Sequence, residues 1–483
     1  MRAAMERGDW QTAIQAGQSW REQGGRDWRL TLNLALCGCR AHQGPEQHWL
    51  ALAEEALQNS HHHPHARLAA AEIAAGSGQW EAGLELLKGL QPPLPATALQ
   101  LRSALLAKLN RSDEALALLL QIAAADRDWR WTMALAAVHV HSSNWSAAEQ
   151  LYRAVLQQRP RQREAHLNLA LALLSQRRCA EAWPHYEWRS SNPRLRPDGS
   201  PRPLPPLEEL AQHHVIVQGE QGVGDQIMAS RYLPPLAAAC PRLRVEPAPR
   251  LAGLLRRQLP PHVSVATGSQ ARGDDAVVIG SGSLAMLLWP CLGMAAAGSQ
   301  GYLKAEPQRV AHWRSKLAKM PPGLRLGLGW LGGASGSERR ERSLSPTELK
   351  QLGAWPGVQW LDLQYLPSGD SHWTQLSRDA GLHRLGEPGH DLDDALALIA
   401  ALDGVVTTRQ TVAHLAGALG QTGQVLVPAR PEWRYWGDGI RWAWYPTLEL
   451  LQQSQRGSWT EMLEQAAQRW LAPPQNAANK NRD

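Results

Sequence analysis

The fold of the second half of this chain is decided by residues 398–420, LIAALDGVVTTRQTVAHLAGALG. An apolar helical pattern leads into the β-branched pair Val405 and Val406, and a polar turn separates that pair from a second apolar helical pattern. Thr411 stands at the N-cap position of the second helix. This succession predicts an α/β unit in which the first N–H groups of the second helix bind an anion such as a diphosphate. The alternative is an α/β crossover without a ligand.

A second segment of the same kind covers residues 214–232, HVIVQGEQGVGDQIMASRY. It predicts a buried strand, a glycine-rich turn and a helix that opens at Asp225. Gly222 and Gly224 let the backbone turn tightly and approach a ligand, and Asp225 is expected to face the same crevice. The spacing G-E-Q-G-V-G-D is not the dinucleotide fingerprint G-x-G-x-x-G.

Composition limits the class of protein. With 483 residues, 43% of them hydrophobic, the chain is expected to form about three globular domains. No apolar run reaches the length of about 18 residues that crosses a bilayer, and residues 1–14 lack the apolar core of a signal peptide. The five cysteines form neither an even set nor a C-x-x-C pair. These features predict a cytoplasmic protein with reduced thiols, and without a transmembrane segment or structural zinc.

The charge pattern argues against a nucleic-acid partner. The formal net charge is +6, but acidic residues are interspersed with basic ones along nearly the whole chain. A nucleic-acid-binding surface needs lysine and arginine gathered on one face, and only Arg339, Arg340 and Arg342 cluster locally. Nucleic-acid binding would therefore rest on the isoelectric point alone.

Residues 1–189 repeat a helical hairpin. The intervals from Gly83 onward are 32, 33 and 34 residues, a period that resembles the tetratricopeptide repeat. A longer first interval leaves room for one degenerate unit around residues 44–57. Stacked hairpins predict an α-solenoid whose concave surface binds a protein or peptide partner, and mere support of the following domain is the alternative. The small residues that open each second helix are Ala13, Gly83, Ala115, Ala148 and Ala182.

The pattern changes after the repeats. Residues 190–210 are rich in proline and predict a linker, and beyond them short buried strands alternate with helices. Two Rossmann-like α/β domains are therefore expected at residues 211–320 and 321–472, followed by a disordered polar tail at 473–483. The predicted strands cover residues 215–217, 243–246, 276–279, 324–329, 358–363, 405–408 and 424–427.

The order of motifs along the chain resembles bacterial proteins in which tetratricopeptide repeats precede a glycosyltransferase. The transferase part is similar to the heptosyltransferase group, glycosyltransferase family 9. The resemblance implies a GT-B architecture, in which a first Rossmann-like domain presents the acceptor and a second binds a nucleotide-diphosphate sugar. The motifs that carry it are AEAWPHYEWR (180–189), GEQGVGDQIMASRYLP (219–234), RLGLGWLGG (325–333), RRERSLSP (339–346), TVAHLAGALG (411–420), PEWRYWG (431–437) and WYPTLELL (444–451).

The same resemblance implies roles for individual residues. Asp225 matches the catalytic base, which takes the proton of the acceptor hydroxyl in an inverting transfer. Arg342 matches a basic residue that contacts the donor diphosphate. The other implied site residues are Thr411, Val412, Ala413 and His414 at the diphosphate, Gly222 and Gly224 in the loop between acceptor and donor, and Gln364, Trp433 and Arg434 in the nucleotide pocket.

Several alternatives stay open at this stage. His414 is nearly as well explained as a buried core histidine, and core packing also explains the three predicted pocket residues. The family commonly has aspartate where this chain has Gln410, and that replacement favours a second interpretation, a repeat-based scaffold with an inactive transferase module. Asp391 and Asp393 have the letters of an Asp-x-Asp metal motif, but they precede a helix and are better explained as its cap. We therefore expect a metal-independent reaction that needs no cofactor beyond its nucleotide-sugar substrate.

Overall fold

The structure is a computed structural model, and the chain divides into two compact units. The first comprises Met1–Pro160 with residues 334–339, and the second comprises Arg161–Gly333 with residues 340–483. The predicted tail at residues 473–483 lies outside the described residues. The structure describes residues 1–6, 9–41, 46–268, 273, 275–292, 301–333, 339, 342–366, 371–386, 390–430, 432–435, 437–438, 440–454 and 457–471.

The described part of the first unit consists of helical hairpins. Each hairpin pairs an odd-numbered helix with the even-numbered helix that follows it, and the hairpin of α3 and α4 fills the long interval predicted to hold a degenerate repeat. The helices are α1 (Arg2–Glu6), α2 (Trp10–Glu22), α3 (Trp28–Ala41), α4 (Glu46–Asn59), α5 (Pro64–Gly76), α6 (Trp80–Lys88), α7 (Ala96–Lys108), α8 (Ser112–Leu120), α9 (Trp129–His141) and α10 (Trp145–Gln158), with a 3-10 turn at Ala124–Asp126.

The repeating small residues explain how the hairpins close. Ala13, Ala115 and Ala148 are each the fourth residue of an even-numbered helix, and each is fully buried. A side chain limited to one methyl group allows the neighbouring helix to approach closely. Polar side chains cap some of these helices; for example, Asp9 accepts the N–H of Thr12 and caps α2.

The second unit begins with one more hairpin of the same kind, α11 (Arg163–Ser175) and α12 (Cys179–Tyr186). Its small residue, Ala182, again stands fourth in the second helix and is fully buried. The predicted linker follows without a long helix. Arg196 and Ser200 close a tight turn within it, and the short helix α13 (Leu207–Leu210) ends it.

A four-stranded parallel sheet forms the first lobe of the second unit. Its strand order is β3–β2–β1–β4, with Val215 opposite both Leu243 and Val277. The strands are β1 (His214–Gln218), β2 (Leu243–Glu246), β3 (Ser264–Val265) and β4 (Ala276–Gly280), and the helices are α14 (Val223–Ser230), α15 (Leu233–Ala239), α16 (Pro249–Gln258) and α17 (Leu284–Leu292), with a 3-10 turn at Ser281–Ser283.

A seven-stranded sheet forms the second lobe, in the order β6–β5–β7–β8–β11–β10–β9. Its first five strands are parallel, and the last two are short antiparallel additions. The strands are β5 (Leu324–Gly329), β6 (Val358–Asp362), β7 (Gly404–Thr408), β8 (Gly423–Val427), β9 (Gly437–Asp438), β10 (Arg441–Trp442) and β11 (Tyr445–Gln452). The helices are α18 (Pro307–Leu317), α19 (Pro346–Gly353), α20 (Ser371–Asp379), α21 (Leu392–Ala401), α22 (Thr411–Leu419) and α23 (Thr460–Leu471).

Tryptophan does much of the core packing in a chain that has 22 Trp and no Phe. In the second lobe Trp330 and Trp360 are almost fully buried with Leu328 and Val406 around the sheet. The indole N–H of each is satisfied, since that of Trp330 donates to Asp362 and that of Trp360 donates to the carbonyl of Leu352.

These elements confirm the predicted fold class, helical repeats followed by a GT-B pair of Rossmann-like α/β domains. All seven predicted strands are present, whereas β3, β9, β10 and β11 were not predicted. One local prediction is wrong. Gln410 is the N-cap of α22, in extended backbone, and Thr411 is the first residue inside the helix. None of the described helices has the length and apolar character needed to span a membrane.

Candidate functional site

In each lobe, the order of the strands reverses at one point, and a crevice is expected there. In the first sheet, the chain leaves β1 toward one edge for β2 and β3 and returns to the other side for β4. In the second sheet, β6 and β7 lie on opposite sides of β5. Ligands of open α/β sheets bind beyond the carboxyl ends of strands at such reversals. The loop after β1 leads into α14, whose first turn carries Asp225; the loop after β5 carries Arg342, and the turn after β7 leads into α22.

Asp225 is held at the start of α14 and reaches the second lobe. Its Oδ2 accepts the N–H of Gly222, the N-cap residue, at 3.1 Å. Its Oδ1 lies 2.6 Å from Nε of Arg434. The Asp225 side chain keeps 27% of its surface exposed, so solvent or a substrate can reach the carboxylate. The predicted base and one predicted pocket residue therefore meet.

Gly224 sets the approach of the two lobes. A Cβ atom at Gly224 would lie 2.6 Å from Cδ2 of His414, so only glycine allows α14 and α22 to pack at this distance. His414 is 4% exposed, and its Nδ1 lies 3.1 Å from the hydroxyl of Tyr445. Burial, together with the nearby cations Arg434 and Arg231, lowers the pKa of His414 to about 3. His414 is therefore neutral and packed within the protein, which agrees with the alternative that it is a buried core histidine.

Three guanidinium groups converge on one carboxylate. Nη2 of Arg342 lies 2.7 Å and Nη1 of Arg409 lies 3.2 Å from Oε1 of Glu432, and Nη1 of Arg434 lies 3.4 Å from its Oε2. With Asp225, these side chains form a group that we call the arginine cluster. It contains three cations and two anions, and it lies where the loops of both crevices meet.

The pKa of the Arg434 guanidinium lies above its ordinary value. Burial alone would lower that pKa, but the carboxylates of Asp225 and Glu432 more than offset it. The Arg434 guanidinium therefore stays protonated at neutral pH.

The amino end of α22 supplies further donors beside this cluster. Among the described residues, no side chain caps the helix, and the Thr411 and Val412 amides make no backbone hydrogen bond. The third predicted amide differs, because the N–H of Ala413 donates to the carbonyl of Gln410 at 3.0 Å. Two of the three predicted amides are thus available to an anion.

The Gln364 side chain links the ends of neighbouring strands in the second lobe. Its Oε1 accepts the N–H groups of Trp330 and Leu331 at 3.2 Å and 2.9 Å, and it also accepts from Nε2 of Gln410 at 3.2 Å. The Gln364 side chain is almost fully buried and ties the ends of β5, β6 and β7 together. Gln410, in place of the acidic residue common in the similar family, completes that clamp.

Trp433 and Arg434 line a cavity with Asp225. The volume of this cavity is about 40 Å³. Its walls come from the repeat hairpin, the first lobe and the second lobe, all within the second unit. Residues that line it include Trp183, Tyr186, Gln221, Tyr232, Ser281 and Trp444.

Several residues of this site were not predicted. Arg409 and Glu432 belong to the arginine cluster, and Trp183 and Tyr186 line the cavity from α12. Arg409 could have been predicted as a site residue, because it is a charged residue that directly follows a β-branched strand. Trp183 and Tyr186 lie in the motif that the sequence assigns to the last repeat, and that assignment does not indicate that they line a cavity.

The structure also explains the Asp-x-Asp letters. Asp391 is the N-cap of α21, and its Oδ1 accepts the N–H groups of Asp393 and Asp394. Asp393 in turn pairs with Arg257 of the first lobe. The helix-cap interpretation is therefore confirmed.

The chain was compared with known proteins. No family model matches it. Protein FlbA of Caulobacter vibrioides is 29% identical over 332 residues, which are 62% of this chain and 53% of that protein. The chain thus spans about half the length of this relative.

Two kinds of solved structure are similar. A glycosyl transferase family 9 structure from Veillonella parvula is 12% identical and covers 55% of this chain and 98% of its own, with a TM-score of 0.39. A tetratricopeptide repeat protein from Parabacteroides merdae is 19% identical and covers 38% of this chain and 74% of its own, with a TM-score of 0.31.

Proposed function

We propose that this chain is a glycosyltransferase that moves a sugar from a nucleotide-diphosphate donor to a hydroxyl acceptor by inverting, metal-independent chemistry. The observation that supports the proposal is the arginine cluster, in which Asp225 pairs with Arg434 while Arg342, Arg409 and Arg434 share Glu432. A transfer of this kind needs a carboxylate on one side of the sugar and cationic groups around the leaving diphosphate on the other.

In the proposed reaction, Asp225 takes the proton of the acceptor hydroxyl as that oxygen attacks the anomeric carbon. The bond between this carbon and the phosphate oxygen breaks, and the electron pair leaves with the nucleoside diphosphate. Arg342, Arg409 and Arg434, with the free amides of α22, would stabilise the charge that develops on the phosphate. Guanidinium groups can supply this stabilisation without a bound cation, which is the ground for proposing a metal-independent reaction.

The donor must first rearrange the arginine cluster. Arg434 is paired with Asp225 at 2.6 Å, and a base has to have its oxygen available to the substrate. A diphosphate entering between Arg342 and Arg434 would compete with Glu432 and Asp225 for these guanidinium groups. Binding of the donor would then release the carboxylate that acts on the acceptor.

The alternative function is a repeat-based scaffold that carries an inactive transferase module. Two observations favour it: Gln410 forms a clamp with Gln364 where the similar family has an acid, and Asp225 is already ion-paired. In either case the repeat hairpins are proposed to bind a protein or peptide partner. We also propose a cytoplasmic location, because Cys37, Cys179 and Cys240 are free buried thiols, as in a reducing compartment.

Donor hydrolysis by the full chain, measured with a panel of nucleotide sugars, tests the two functions. The enzyme predicts slow release of nucleoside diphosphate, reduced about 10²–10⁴-fold in Asp225→Ala while nucleotide binding is kept. Asp275→Ala is the matched control, because Asp275 forms an exposed ion pair with Arg242 away from the site. Nucleotide binding without hydrolysis in any form would support the scaffold instead.

A further inference from the structure

Arg231 is a buried cation that the proposed reaction does not use. It directly follows α14, and it is only 3% exposed. Within the part of the chain that the structure describes, no carboxylate pairs with its guanidinium, and Nη1 has no hydrogen-bond partner. Burial of a charge is costly unless other groups compensate it. A cation kept at this cost calls for an explanation.

Three aromatic rings surround the guanidinium in place of a carboxylate. Its Cζ lies 5.1 Å from the ring centroids of Tyr302 and Trp444 and 5.0 Å from that of Tyr445. The faces of aromatic rings attract a cation, and the attraction is stronger where water is excluded. Nε also donates to the carbonyl of Met228 at 2.9 Å, and Nη2 donates to the carbonyl of Trp444 at 3.2 Å. We call Arg231 and these three rings the aromatic cage.

The aromatic cage joins the two lobes of the second unit. Arg231 extends from α14 of the first lobe, whereas Trp444 and Tyr445 belong to the second lobe, at the start of β11. Tyr302 lies in the segment that connects the lobes, between α17 and α18. The hydroxyl of Tyr302 donates to the carbonyl of Ile227, in α14, at 2.8 Å. The carboxyl end of α14 is therefore held against the second lobe.

The same helix carries the proposed base. Asp225 is in the first turn of α14, about 9 Å along the helix axis from Arg231. Asp225 meets Arg434 of the second lobe at 2.6 Å, and Gly224 packs against His414 in α22. Because α14 is a short hydrogen-bonded helix, its two ends move together. The position of its carboxyl end thus sets the position of Asp225, and a displacement of about 1 Å is enough to slow a reaction markedly.

We propose that Arg231 is a positioning residue: its caged guanidinium holds α14 against the second lobe and keeps Asp225 in place beside the arginine cluster. The proposal rests on the transferase function proposed above. Arg231 acts only through α14. An apolar side chain would fill the same space, but it could not donate to one carbonyl in each lobe, and these directional bonds fix how the lobes are oriented.

Hydrogen exchange of the full chain, followed by mass spectrometry, tests the positioning without any need for turnover. Arg231→Met keeps the bulk of the side chain and leaves no acid unpaired, so we expect a nearly unchanged melting temperature. Amide exchange in α14 should become about tenfold faster. Arg231→Lys keeps a cation in the cage and should restore part of the protection. The control is Arg257→Gln, since Arg257 joins Asp393 of the second lobe to α16 and not to α14.

Two outcomes of this experiment would overturn the proposal. Unchanged exchange in α14 would mean that the helix is held without the cage. A lower melting temperature of Arg231→Met, with faster exchange throughout both lobes, would make the cage a core contact only. In that case Tyr302→Leu, which removes one ring and keeps the cation, should also destabilise both lobes and not α14 alone.

Turnover of the nucleotide sugars in the same variants tests the consequence for the reaction. We expect kcat of Arg231→Met to fall at least about tenfold. The KM of the nucleotide sugar should stay nearly the same, because the arginine cluster keeps its guanidinium groups. Faster exchange in α14 with unchanged kcat would remove the positioning role alone. Absence of turnover in the wild type would instead remove the transferase function, and with it the reaction that Arg231 is proposed to serve.

Discussion

Two groups of arginine and carboxylate side chains in the second unit use the same chemistry in different surroundings. In the first, which we call the joint network, Arg189 pairs with Glu187 and Glu220, and these side chains are only 3–5% exposed. The second is the arginine cluster, in which Glu432 and Asp225 are 37% and 27% exposed. One group is sealed by protein, and the other is open to a ligand.

The charges of the two groups differ as well. The joint network has one arginine and two glutamates, and Ser283 and Asn192 add hydrogen bonds that complete it. Among the described residues, the arginine cluster has three cations and two anions. A buried network whose members are hydrogen-bonded stabilises the fold, whereas a partly exposed one can exchange a protein carboxylate for a ligand. The comparison therefore distinguishes the joint network, which stabilises the fold, from the arginine cluster, which is proposed to bind a ligand.

The largest expected effect is on the joint network. Arg189→Met leaves two carboxylates buried without their cation, and we expect a loss of about 3–5 kcal/mol in the unfolding free energy. Calorimetry of the full chain should show a lower transition temperature for the second unit. The control is Arg178→Gln in the same hairpin, because Arg178 forms an exposed pair with Glu181 that contributes about 0.5 kcal/mol or less. Equal melting of both variants would remove the distinction between the groups.

In the arginine cluster, substitution should change binding and leave stability nearly unchanged. Arg342→Gln removes one charged donor from the proposed diphosphate site, and we expect pyrophosphate affinity to fall about 10–100-fold. Arg325→Gln is the matched control, because Arg325 lies at the amino end of β5, away from the crevice. A drop in melting temperature without a change in affinity would instead make Arg342 structural.

More of the fold than of the candidate site could be predicted from the sequence. Short runs of apolar residues predicted seven strands, because an apolar run is a local property of the chain. The two-residue strands β3, β9 and β10 escaped prediction because their pairing depends on neighbours already in place.

Contacts in the candidate site that join residues far apart in the sequence could not be predicted. Asp225, Arg342, Trp433 and Arg434 lie close together in the structure, but the pairing of Arg342 with Glu432 spans 90 residues and has no local signature. His414 and Gln364 illustrate the opposite case. Their residue types suit a ligand pocket, and the structure shows contacts within the protein for both: His414 packs against Gly224, and Gln364 accepts the N–H group of Leu331. Their roles toward a ligand stay predictions.

The smallest expected effect concerns Glu432, which occupies the guanidinium groups in the absence of a ligand. Glu432→Gln removes a competing anion, and because Glu432 is partly exposed we expect pyrophosphate affinity to rise by no more than about tenfold. Titrations at low and high salt should show this gain shrinking as ionic strength increases. A lower affinity in this variant would mean that Glu432 positions the arginines and does not compete with the ligand.

The central claim is that loops of the two lobes form one anion-binding site around Asp225 and Arg434. Isothermal titration of the full chain with uridine, guanosine, adenosine and cytidine diphosphates tests it most directly. We predict that at least one of them binds with one-to-one stoichiometry and that Arg434→Gln weakens this binding at least about tenfold without lowering the melting temperature. Absence of binding by all four, or equal binding by the wild type and Arg434→Gln, would contradict the claim.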